Sequence, residues 1–150
     1  MSSLRWFAVS TACLAVFGVP AQTHSFQRAN DDKARIQGTW ELVSQLENGE
    51  ETIKDRKEKF YYIFDGDKLR TKGGAIQVNA TFRLDPKNSP KTLDIRELDG
   101  NKNTILGIYE LKLDQLRICT PDSSDIQIAR PKKFVSTKVY ALLVFKRVKK

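Results

Sequence analysis

The stretch IQGTWELVSQ, Ile36 to Gln45, puts a glycine and a tryptophan two residues apart at the head of a β-prone run. It follows a polar, charged segment and holds one of only two tryptophans in the chain. A ring of that size at the start of a first strand reads as a plug: Trp40, with Gly38 beside it, is expected at the floor of a small β-barrel, in a structural role.

Downstream, short β-prone runs alternate with turn signals, as in an all-β barrel or sandwich. Eight strands are expected: Thr39 to Leu46, Phe60 to Phe64, Lys68 to Lys72, Ile76 to Leu84, Thr92 to Leu98, Thr104 to Leu111, Gln115 to Cys119 and Lys138 to Arg147. Asn48-Gly49, Asp65-Gly66, Gly73-Gly74 and Asp99-Gly100 lie between them. Such pairs tolerate the positive φ of tight turns and make sequential strands antiparallel.

Alternation is cleanest in VNATFRL, where Val78, Ala80, Phe82 and Leu84 share one face; these four are expected to line the lumen. In the last strand Leu143, Phe145 and Arg147 share a parity, which brings Arg147 to the lumen side over the Trp40 ring. TILGIYEL and VYALLVF are apolar on both faces, so their outer sides require an external cover or a subunit contact. Two connections are long. Gly49 to Lys59 is charged and rich in helix formers, which fits a short helix across one barrel mouth; Thr120 to Thr137 is too long for a simple hairpin and fits a functional loop.

Upstream, residues 1–21 carry one positive charge at Arg5, an apolar run of 13 residues from Trp6 to Gly18, and small residues at Val19 and Ala21. This reads as a signal peptide cleaved after Ala21, which implies export to the periplasm or beyond. The run is short for a membrane span, which needs about 20 residues. Ser10 stands where lipidation of Cys13 would want an aliphatic residue. Gln22 to Arg35 lacks either hydrophobic period and reads as a flexible lead-in, leaving a single domain over residues 36–150. Cleavage removes Cys13, so Cys119 is left as a lone thiol of the kind usually buried. The net charge of +8 favours solubility and a weak attraction to anionic surfaces.

With GTW opening a strand, eight strands, tight turns and a basic residue ending the last one, the chain resembles the lipocalin superfamily. There Gly-x-Trp sits at the closed barrel end with a basic side chain laid over the indole. A longer resemblance rests on IQGTWELVS, FRLDPKNSPKTLDI, TILGIYELKLDQLRIC, RPKKF and the final LLVFKR, in that order from Ile36 to Arg147. It is to a functionally uncharacterised lipocalin-like domain family found mainly in planctomycete bacteria. The resemblance implies an exported eight-stranded, antiparallel, up-and-down lipocalin-like barrel and supplies no ligand. The basic first connection, with Lys54, Arg56, Lys57 and Lys59, departs from lipid-transporting relatives.

The one histidine, His24, lies in the lead-in, so the domain itself has no imidazole. Histidine-based triads, Cys-His pairs, histidine-ligated zinc and haem ligation through histidine are thereby excluded. No enzyme activity, metal or cofactor is expected. Asp65 and Asp67 lack the remaining ligands of a calcium loop and read as a hairpin turn; Asp94, Glu97 and Asp99 read as solvent-facing or strand-end charges. The basic FKRVKK tail is not a nucleic-acid signature. Two roles fit: a binding module for a small apolar or amphipathic ligand with the first long connection as its lid, or a structural or protein-interaction domain of the cell envelope with a filled barrel. An eight-stranded interior accommodates either.

Overall fold

Turn chemistry and alternation together build an antiparallel meander that closes on itself. In the computed structural model the described residues are 31–54, 57–74, 77–99, 103–122 and 128–149. The expected leader with Cys13, and His24 of the lead-in, lie outside them. A short helix over residues 31–36 precedes nine strands. These are β1 (Gly38–Glu47), β2 (Glu50–Glu51), β3 (Tyr61–Asp65), β4 (Lys68–Lys72), β5 (Asn79–Asp85), β6 (Lys91–Glu97), β7 (Thr104–Leu111), β8 (Gln115–Pro121) and β9 (Tyr140–Arg147). Each barrel strand pairs with the next in sequence and β9 pairs back to β1, so β1 and β3 to β9 form a closed eight-stranded antiparallel barrel. The fold is all-β and lipocalin-like.

The expected helix between the first two strands is not there among the described residues. Instead Asn48 (φ 50°) and Gly49 (φ 83°) make a two-residue hairpin, and β2 folds back on the end of β1 with Glu47 opposite Glu50. A carboxylate decides this against helix propensity. Glu51 accepts hydrogen bonds from the Gln45 amide at 2.8 Å and the Ser44 hydroxyl at 2.7 Å, which fastens β2 to β1 and holds the Glu51 carboxyl below its usual range.

Among the described residues the single short helix stands before β1, in what reads from sequence as a flexible lead-in. Its polar residues serve an inward contact. Asp32 is buried and accepts hydrogen bonds from the Tyr109 hydroxyl at 2.7 Å, Lys91 Nζ at 2.6 Å and Arg35 Nη1 at 3.3 Å. A buried carboxylate is tolerable only when paired in this way, and here it ties the helix to β6 and β7. Ile36, fully buried, completes the seal under the barrel.

Inside, Trp40 and Leu42 of β1 face the lumen with Phe64, Leu69, Phe82, Leu93, Ile95, Leu116, Ile118 and Phe145, all buried in one cluster. Phe64 and Phe82 meet edge to face at 4.9 Å between ring centres, and Tyr62 lies 4.6 Å from Phe145. Fully burying an aliphatic or aromatic side chain of this kind contributes about 1.5–3 kcal/mol. The β1–β9 register runs Trp40 opposite Arg147 and Leu42 opposite Phe145, then shifts between Leu42 and Ser44 so that Gln45 stands opposite Leu143. This bulge swaps the inward parity of β1. Gln45 thus turns towards the lumen, while Leu46 packs outside against Leu142.

The outer apolar face of β7 to β9 has its own cover. Phe134 lies on a second buried cluster of Ile108, Cys119 and Leu142, with the Arg117 guanidinium 4.9 Å from its ring centre. Arg130 donates to the Gly107 carbonyl at 2.5 Å and the Asp94 carboxylate at 2.6 Å. Residues 128–139 of the long connection after β8 are therefore a strap across the outside of the barrel, and Asp94, expected as a solvent-facing or strand-end charge, is one of its anchors.

Candidate functional site

The two ends of the barrel differ in kind. At the closed end Trp40 has no exposed surface, and its indole N–H donates to the Ile36 carbonyl at 2.7 Å. The Arg147 guanidinium stands 4.1 Å from the ring centre. That cation also donates to the Gln37 carbonyl at 2.8 Å and to the Arg35 carbonyl, so it ties the chain entering β1 to the end of β9. Gly38 has φ +110°, a conformation that disfavours any side chain. Trp40, Gly38 and Arg147 are thus one assembly, sealed by packing.

At the opposite end the interior opens into a cavity of about 1110 Å³. Its apolar wall comes from Leu42, Phe60, Tyr62, Val78, Ala141 and Leu143. Around the opening stand Gln45, Lys57, Glu58, Asn79, Glu97, Asp99 and Asp122. The Asn79 amide donates to Asp99 at 3.1 Å, and Lys57 and Glu58 reach the rim from the long connection before β3.

Alternation explains how the wall is made. Phe60, Tyr62 and Phe64 share a parity, and Phe60 and Tyr62 meet at 5.8 Å between centres with 61° between planes. Phe64 points into the packed half, whereas the other two rings border open space. On β6 the inward parity runs Leu93, Ile95, Glu97, which ends a buried apolar row in a carboxylate at the cavity. Burial pushes the Tyr62 phenol up to about 12, and the negative charge of Glu97 adds to the shift. Tyr62 is neutral at physiological pH and can donate a hydrogen bond into the cavity.

The row Val78, Ala80, Phe82, Leu84 faces inward but does not act as a unit. Val78 alone borders the cavity; Ala80 and Phe82 are buried in the packed half, and Leu84 packs against that same cluster. A strand spans the whole barrel height, so one parity traverses both the filled and the open halves. Glu97, expected as a strand-end charge, is turned inward by that same parity. The residues sequence reasoning missed at the cavity are Phe60, Tyr62 and Glu97. Their signal was the alternation in FYYIF and LDIRE, which shows a common face without its height.

Fold and site together define a small antiparallel barrel plugged at one end and hollow at the other. No protein-family model, curated protein or solved structure matches this chain.

Proposed function

We propose that this chain is an exported lipocalin-like binding module that holds one small apolar or amphipathic molecule in the open half of its barrel. The observation that carries the reading is the cavity of about 1110 Å³ with an apolar base and a polar rim. Small-molecule sites of this construction span roughly 300–1,000 Å³, so the space suffices for one ligand. The leader-like residues 1–21 support export, and the Gly38, Trp40 and Arg147 floor supports kinship with lipocalins. No catalytic residue enters the reading.

Native mass spectrometry of the protein produced in an exporting host tests it. The expected result is a chain lacking residues 1–21 that carries a noncovalent adduct, and loss of the adduct in Leu143→Trp, which fills the cavity while keeping an apolar wall. A chain that carries no adduct and takes up no added amphiphile hands the role to the protein-interaction reading.

A further inference from the structure

Charge at the cavity runs against the charge of the molecule. The whole chain carries 26 basic residues against 18 acidic. Among the described residues around the cavity the balance inverts: Glu58, Glu97, Asp99 and Asp122 stand there, with Lys57 as the only cation. Lys59, which adjoins it in sequence, is engaged elsewhere, with its ammonium 3.0 Å from Glu41.

Glu97 is the informative member. It is half-buried where Glu58, Asp99 and Asp122 are exposed. Its carboxylate makes no ion pair and no side-chain hydrogen bond with any other described residue. A half-buried carboxylate with no described partner, ending an otherwise apolar inward row, is a ready counter-charge for a bound cation.

A neighbouring ring adds a second argument. Tyr62 lines the cavity close enough to Glu97 to feel its charge, and an aromatic ring beside a carboxylate suits a cation, quaternary ammonium groups above all. Leu42, Val78 and Leu143 continue the cavity wall as plain hydrocarbon. From this juxtaposition, and resting on the binding role proposed above, we infer that the ligand is a cationic amphiphile: an amine or ammonium head held by Glu97 beside Tyr62, with its apolar body on the lower wall.

Isothermal titration with three probes of equal chain length tests the inference on the intact mature protein and on Glu97→Gln: dodecyltrimethylammonium, dodecyl maltoside and dodecanoate, each below micelle formation. The wild-type protein is expected to bind the ammonium probe at least about tenfold more tightly than the other two. In Glu97→Gln that preference collapses while maltoside binding is kept, and an unchanged melting temperature shows that the fold survives. Equal binding of all three probes, or tighter binding of dodecanoate, overturns the charge assignment and leaves the binding role standing. A preference that persists in Glu97→Gln overturns the role of Glu97. Failure of every probe to bind overturns the binding role itself.

Discussion

Trp40 shows how one residue closes the barrel. Its ring is fully buried, its N–H is satisfied by the Ile36 carbonyl, and its face is covered by a guanidinium whose remaining donors serve two backbone carbonyls. Replacing Trp40 by Ala leaves a cavity, an unpaired carbonyl and a stranded cation, so a loss of about 3–5 kcal/mol is expected. Arg147→Ala gives up a cation–π contact of about 0.5–2 kcal/mol and leaves the Gln37 and Arg35 carbonyls to find other partners. Denaturant unfolding measures both losses. With residues 1–21 removed, Trp40 is the only tryptophan, and its native fluorescence should resist acrylamide. Ready quenching together with an unchanged melting temperature for Trp40→Ala would place this ring outside the floor.

At the scale of the element, the strap after β8 has a testable duty. Phe134 lies over Cys119, whose thiol is fully buried, donates to the Val135 carbonyl at 3.3 Å and is pushed up in pKa by burial. The thiol should therefore react slowly with maleimide in the native protein. Phe134→Ala removes the cover and is expected to speed labelling about tenfold or more, at a stability cost of at most about 3 kcal/mol because the ring is only half-buried. An unchanged labelling rate would mean that the strap does not shield this face. Gly107 shows how tightly the same region is built. A Cβ there would lie 2.9 Å from Thr120 Cγ2 and 3.1 Å from the Cys119 carbonyl, so Gly107 lets β7 approach β8.

Stability over pH belongs to the whole molecule, and on the alkaline side two phenols govern it. Tyr62 is held near 12 against an ordinary 10.0 by burial, and Tyr109 is shifted in the same direction by burial and by its hydrogen bond to Asp32. Both folded values lie above the unfolded one, so the native state favours the protonated phenols. Their contribution is complete below about pH 10 and declines as the pH rises from 10 towards 12. Tyr62→Phe should flatten part of this decline and leave the Tyr109 share. Urea unfolding at stepped alkaline pH gives the comparison; identical slopes for the two proteins would show that Tyr62 is not enclosed by the barrel.

Much of this architecture was legible in one dimension. Strands follow from period-two alternation and from paired turn residues, both local properties of the backbone, and the observed β4 and β7 coincide with the expected Lys68–Lys72 and Thr104–Leu111. What alternation cannot carry is distance along a strand: Val78 and Phe82 share a face, yet one borders the cavity and the other lies in the packed half. Nor can composition decide between a solvated charge and a reaching one. Asp32, Asp94 and Glu97 read alike as surface carboxylates, and they separate only when Tyr109, Arg130 and the open lumen are brought beside them. The same holds for GEETIKDRKEK, where the Glu51 carboxylate accepts from the Gln45 amide and the Ser44 hydroxyl of β1. The sequence by itself determined an all-β antiparallel meander and which side chains share its faces, because those depend on turn residues and on neighbours two residues apart. Only the tertiary structure decided which half is hollow and which charges turn inward. Those depend on contacts between residues far apart in the chain, such as Asp32 with Tyr109 and Asp94 with Arg130, that exist only once the barrel has closed.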